Sequence, residues 1–306
     1  MSVTEIDKHI HLIDVETAGI KKFIASYVLM GRQAAIIETG PTSSVPNLLA
    51  CLETLNIKPE EVDYVAVSHI HLDHAGGVGT LIKHLPKAKV IVHQRGAPHL
   101  ANPQKLWEQS KKVLGRVTDF YGTPEPVPEN RIVAAVDGMV FDLGNDVRLR
   151  VVETLGHASH HQSFYETSSR GVFSGDAAGI YLSEIDVVVP TTPPPIRLDI
   201  ALASLRKLVG LKPESLFYSH FGKASDAVEK LQTYVRQLKL WAEIAKEGID
   251  KKEKLDIIAN NIVKRDVALQ KALKDVQVHP VLGETVLSNS VRGIVDFVEK
   301  FGGISE

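Results

Sequence analysis

The stretch Ser68-His69-Ile70-His71-Leu72-Asp73-His74 limits what this chain can fold into more than any other feature. It follows residues 62–67, a short and nearly all-apolar run of the kind that forms a strand buried on both faces. It precedes residues 75–85, where the spacing predicts a helix. A strand that runs into a helix implies an α/β sheet, and ligands gather at the carboxyl ends of such strands. Two histidines two positions apart on an extended chain project to the same side, so His69 and His71 can grip one ion. Asp73 and His74, in the following turn, can reach a second. Imidazole and carboxylate groups suit zinc, and also iron or manganese. A solvated histidine-rich turn would account for one such residue, not for four at the end of an apolar strand.

The rest of the chain supplies more strand ends of this kind. Strands are predicted at 9–15, 25–30, 33–38 and 89–93, with a helix over 44–55. After an irregular, partly helical segment at 96–128, a second strand-rich block covers 131–136, 139–142, 147–154, 162–166 and 171–174. Residues 180–196 read as an apolar loop, and a helix over 199–209 leads to a strand at 215–219. Leu155-Gly156-His157, Ser174-Gly175-Asp176 and Ser219-His220-Phe221 each put a ligand-type side chain where a β run stops. Beyond residue 225 the apolar spacing turns helical, with Val228, Leu231, Val235 and Leu238 on one stripe. Two α/β halves with their sheets face to face, followed by a helical extension, fit this order. The division is 1–224 for the catalytic unit and 225–306 for the extension packed on it.

Composition narrows the classes. The chain has 306 residues, 44% of them apolar, enough to bury a sizeable core. A net charge of −2 lacks the basic excess of a dedicated nucleic-acid binder. No apolar run reaches the roughly 18 residues of a membrane span, and the N-terminus lacks the basic start and apolar core of a signal peptide. The single cysteine, Cys51, forms no internal disulfide and reads as a small core residue. These features predict a cytoplasmic protein with no membrane or nucleic-acid partner.

The set of motifs resembles the metallo-β-lactamase superfamily, over roughly residues 9–222, and is most similar to its archaeal and bacterial branches. That resemblance implies a four-layer αββα sandwich with metals at one edge of its two sheets. It implies that His69, His71 and His157 bind a first metal, that Asp73, His74 and His220 bind a second, and that Asp176 bridges them opposite a bridging hydroxide. Two divalent ions are expected, zinc first, with iron or manganese as alternatives. Departures from the pattern narrow the subfamily. True β-lactamases of this fold generally use a cysteine where Asp176 stands. Flavodiiron proteins carry an acidic residue where His71 stands. Quorum-quenching lactonases place a tyrosine three residues after the bridging aspartate, where this chain has Gly179, with Tyr181 two further on. The glycine-, cysteine- and arginine-rich stretch of glyoxalase II and the persulfide dioxygenases is not matched by Ala177-Ala178-Gly179-Ile180.

The expected function is a dinuclear metal-dependent hydrolase acting on an ester, thioester, lactone or phosphoester. Asp73 and Asp176 are its catalytic residues, and its substrate is a small, partly apolar molecule. The rivals are a mononuclear non-haem iron oxygenase of the persulfide dioxygenase type and an RNase Z-like nuclease, the latter disfavoured for want of a basic arm. His160 and His161 read as support for the ligands, Glu38 as a further hydrogen-bonding partner, and His279 as a surface or core residue. The extension is expected to shape the substrate entrance or a homodimer contact.

Overall fold

The computed structural model describes residues 2–279 and 282–304, the side chains of 282–286 excepted. Seven strands form the first sheet in chain order: β1 (Ser2–Asp7), β2 (Ile10–Asp14), β3 (Ala25–Met30), β4 (Ala34–Ile37), β5 (Val62–Ala66), β6 (Lys89–His93) and β7 (Ile132–Ala135). β1 to β4 pair antiparallel, and β4 to β7 pair parallel. The parallel strands need crossovers. Helix α1 (Val45–Thr54) supplies one, and the short helices α2 (Leu72–Ala75) and α3 (Val78–Leu81) supply the next. Helices α4 (Ala97–Ala101), α5 (Gln104–Leu114) and α6 (Val117–Tyr121) fill the segment before β7.

The second sheet holds β8 (Val140–Gly144), β9 (Val147–Glu153), β10 (Gln162–Glu166), β11 (Gly171–Gly175), β14 (Ser215–Tyr218) and β15 (Gly222–Ala224). Their order across the sheet is β15-β14-β11-β10-β9-β8. Between β11 and β14 lie a small hairpin, β12 (Ile180–Leu182) with β13 (Val187–Val189), and helix α7 (Leu198–Gly210). The two sheets share a core to which each contributes alternate residues, as facing sheets must. Tyr27 meets Phe173 edge-on at 5.1 Å, and Phe173 stacks on Phe217 at 4.6 Å. The outer faces are covered by helices, which gives the αββα layering.

At one edge, backbone bonds clip the sheets together. The Gln162 amide donates to the Ser68 carbonyl at 2.8 Å, and the Ala25 amide donates to that of Ser219 at 2.8 Å. This edge is where the ligand-type residues leave their strands.

The helical run over 75–85 is instead broken into α2 and α3, and α2 contains Asp73 and His74. The apolar loop over 180–196 contains the β12/β13 hairpin, and Ile180, Val187 and Val189 are buried. Their apolar character is spent on packing. Among the described residues the extension is four helices: α8 (Ala227–Asp250), α9 (Leu255–Arg265), α10 (Val267–Val278) and α11 (Leu282–Phe301). The stripe of α8 is buried through Leu231, Tyr234, Leu238 and Trp241, and the Trp241 indole donates to Asp266 at 2.7 Å. Among the described residues no helix is long and apolar enough to cross a membrane.

Candidate metal centre

Each of the seven predicted ligands arrives from the end of a strand. β5 runs into Ser68 and His69. His71 stands at the N-terminus of α2, whose single turn carries Asp73 and His74. β9 leads to His157, β11 to Asp176 and β14 to His220. The structure brings all seven together. The donor atoms of His69, His71 and His157 lie within 4.8 Å of one another, and so do those of Asp73, His74 and His220. The Asp176 carboxylate faces both groups. Its Oδ2 lies 3.3 Å from His157 Nε2, and its Oδ1 lies 3.4 Å from His74 Nε2 and 3.8 Å from His220 Nε2.

The second nitrogens of the imidazoles fix which nitrogen is free. His157 Nδ1 donates to the Thr191 carbonyl at 3.1 Å, and His220 Nδ1 donates to the Phe23 carbonyl at 2.7 Å. A carbonyl only accepts, so both rings must carry a proton on Nδ1, and when neutral they keep Nε2 bare toward the centre. His69 Nδ1 pairs with the Ser68 hydroxyl at 2.9 Å. Glu38 sits behind, as predicted. Its Oε1 is 3.5 Å from His74 Nδ1 and accepts from the Ser68 amide and the Ser219 hydroxyl.

His161 supports the site through the backbone of Asp176, whose amide donates to His161 Nε2 at 3.1 Å. His160 stacks near His69, with ring centroids 6.3 Å apart. His279 is nearer than expected. Its ring packs on Phe23 at 5.0 Å, and Phe23 packs on His220 at 5.3 Å.

Charge within the cluster is divided unevenly. Burial would raise the Asp176 carboxyl, but His74 and His157 outweigh it and hold Asp176 well below the usual carboxylate range. Asp73 is held down too, against burial, by His74 and His220. His74 resists burial because Asp176, Asp73 and Glu38 surround it, and its basicity is raised. Burial pushes His71 down to about 3, with His157 adding to the effect.

His74 Nε2 and Asp176 Oδ1 are buried and lack a hydrogen-bond partner, although they face each other. Leaving such atoms unpaired costs about 1–3 kcal/mol each. A cation between them would satisfy both, and the histidine and carboxylate donors are those that divalent transition metals accept. The residues fit such a group.

Strand-end reasoning reached every member of the cluster but not the atoms that orient them. The Thr191 and Phe23 carbonyls are backbone groups with no residue signature, so no pattern could have singled them out.

An αββα sandwich carrying a histidine and aspartate cluster at its sheet edge defines a class of metal-binding proteins. The family model of the metallo-beta-lactamase superfamily matches residues 21–220, and the chain belongs to that superfamily. It is similar to the metallo-beta-lactamase fold-containing protein ST1585 of Sulfurisphaera tokodaii, at 28% identity over 84% of this chain and 93% of that one. The solved structure of the metallo-beta-lactamase family protein TTHA1429 from Thermus thermophilus aligns with a TM-score of 0.66. It does so at 19% identity, over 91% of this chain and 89% of that one, a likeness of fold. A shorter match, 33% over 38% of this chain and 40% of the other, is to the N-acyl homoserine lactonase AttM of Azorhizobium caulinodans. Family and cluster together support a metal-dependent, hydrolase-type function.

Proposed function

We propose that the protein is a hydrolase that holds two divalent metal ions, zinc first among them. His69, His71 and His157 hold one ion, Asp73, His74 and His220 hold the other, and Asp176 lies between them. The observation that carries this reading is the Asp176 carboxylate, whose two oxygens face the two groups separately, Oδ2 toward His157 and Oδ1 toward His74. A mononuclear centre would leave Asp73, His74 and His220 gathered together without a purpose.

When bound, the ions supply Lewis acidity and a water acidified toward neutral pH. The chain's own groups do the rest. His157 and His220 present bare Nε2 atoms because their Nδ1 protons are committed to carbonyls. The Asp73 side chain is partly open to solvent, at 22% exposure. Its depressed basicity makes it a hydrogen-bond acceptor that orients the attacking water, not a proton store. Tyr121 is buried close enough to feel the charges of Asp73 and Asp176. Phe23, packed on His220 at 5.3 Å, gives the site an apolar flank for a small, partly apolar substrate. The electrophile is an ester, thioester, lactone or phosphoester, and the local likeness to a lactonase supports trying lactones first.

Elemental analysis of purified protein, with a panel of chromogenic esters, thioesters, lactones and phosphodiesters, tests the proposal. About two transition-metal ions per chain are expected, and Asp176→Ala should lose metal and turnover together. A single iron per chain with thiol-dependent oxygen uptake would replace this reading with the oxygenase one.

A further inference from the structure

The segment that orients His157 is itself held by the last helix. Ser290 on α11 is buried, and its hydroxyl brackets Thr191 on both sides. Ser290 Oγ donates to the Pro190 carbonyl at 3.1 Å and accepts from the Thr192 amide at 3.1 Å. The Thr192 hydroxyl returns a bond to the Ser290 carbonyl at 2.9 Å. Three residues on in the helix, Gly293 lets the backbones touch. A Cβ at that position would stand 1.9 Å from the Thr192 carbonyl oxygen, which is backbone and cannot swing aside. From α8, the Tyr234 hydroxyl meets the backbone of Thr191 itself. Thr191 is therefore fixed on both flanks by one side chain, and its carbonyl accepts from His157 Nδ1 at 3.1 Å.

We propose that Ser290 is a positioning residue for the metal centre, acting through Thr191 on the orientation and tautomer of His157. This rests on the reading of His157 as a ligand. The helical extension is then part of the centre's support as well as a cover for the core. Removing the Ser290 hydroxyl deletes two bonds at once and leaves the Thr192 amide buried without a partner. Thr191, Thr192 and Tyr234 line a small cavity behind His157 and Asp176. With its anchor gone the Thr191 peptide is held less firmly, and His157 loses its fixed acceptor. Loss of a group that orients a ligand weakens metal binding by about 10–100-fold.

The test is zinc titration of the full chain against a chromophoric chelator, with the visible spectrum of the cobalt(II)-loaded protein and the melting temperature of the metal-free protein. Ser290→Ala should weaken one of two zinc affinities by about 10–100-fold and alter the cobalt ligand-field bands. Thr192→Val, which keeps shape and drops only the return bond, should shift the same affinity less, and it stands in if Ser290→Ala does not fold. His157→Ala is the control and should abolish the affected affinity. Both zinc affinities and the cobalt bands staying at wild-type values while the metal-free melting temperature falls would overturn the proposal and leave Ser290 a purely structural contact. Should the unaltered protein bind no zinc, or His157→Ala keep both ions, the ligand reading fails instead, and this proposal with it.

Discussion

His161→Ala should separate the support of the centre from the centre itself. The His161 ring is wholly buried, and its two nitrogens have opposite duties. Nε2 accepts from the Asp176 amide at 3.1 Å, so it carries no proton. Nδ1 must then be the donor, to the Thr154 hydroxyl at 2.9 Å. That hydroxyl passes its hydrogen to Ser163 at 2.9 Å, and Ser163 donates to the Ser174 carbonyl at 3.1 Å. Burial holds the imidazole well below its ordinary basicity, in keeping with this fixed neutral tautomer. Truncation to alanine leaves the Asp176 amide buried and unpaired, at a cost of about 1–3 kcal/mol. The space left by the ring adds further loss, for a total of about 2–4 kcal/mol. For a chain of this size that is roughly 3–6 °C in melting temperature. Metal affinity should fall about 10–100-fold, less than the complete loss expected of a ligand such as His157. His161→Gln is the informative companion, because a glutamine Oε1 can take the place of Nε2 as acceptor. Calorimetry and chelator competition should find the glutamine variant nearer the wild type than the alanine variant on both scales. Equal losses in the two variants, or an alanine variant as metal-free as His157→Ala, would refute this account of His161.

Gly156→Ala should destabilise the protein by about 1–3 kcal/mol from its left-handed backbone and about 1–3 kcal/mol from overpacking. Gly156 has φ +132°, and a Cβ there would stand 2.5 Å from the backbone of Ala201 in α7. Denaturant titration reads the loss. His160, pushed down to about 4 by burial and by His157, should remain neutral from pH 8 to pH 5.5 in nitrogen-15 spectra of the metal-free protein. A midpoint near 6.5 would contradict its placement. We propose that residues 1–224 do not form an autonomous unit. A chain ending at 224 should expose the partners of Leu231, Tyr234 and Trp241 and aggregate, and a soluble, monomeric, active product in light scattering would show otherwise.

Much of the fold was legible because many of its strands carry short apolar or aromatic runs bounded by turn residues. The predictions at 25–30, 89–93 and 162–166 coincide with β3, β6 and β10. Elements lacking such a signal escaped. β1 carries exposed or half-buried residues along its length and pairs only with β2. β15 is three residues long. α10 buries only Leu269, Ala272 and Val276, too sparse a stripe to stand out. The hairpin at 180–189 was hidden because an apolar run reads alike as loop, strand or buried helix. The ligand cluster was legible for a different reason. Histidine and aspartate at the ends of apolar strands are conspicuous, whereas the Thr191 carbonyl, the Phe23 carbonyl and Ser290 look like any other residue until the chain folds.

Above neutral pH, stability and metal binding should respond to pH in opposite directions, because the same buried groups serve both. In the metal-free protein the proton on His74 is held by Asp176, Asp73 and Glu38 against the penalty of burial. A histidine raised above its unfolded value of about 6.5 contributes stability that is full below that value and is lost as pH rises through the folded one. The depressed Asp73 and Asp176 carboxyls contribute stability that is full above about 3.9 and is lost as pH falls through their folded values. Burial depresses His69, His71, His160 and His161, whose contribution is full above about 6.5 and is lost as pH falls. The metal-free chain is therefore most stable near neutral pH, and above it stability falls as His74 loses its proton. A metal ion needs a neutral His74, so binding must displace that proton, and affinity rises with pH. Melting temperatures measured from pH 7 to 8.5 should fall for the chelated protein and rise for the zinc-loaded one. Proton release on binding, read by calorimetry in two buffers of different ionisation enthalpy, should diminish toward high pH. Parallel melting curves for the two forms, or binding with no proton release near neutral pH, would mean that His74 is neutral in the metal-free cluster and that the carboxylates around it do not hold its proton.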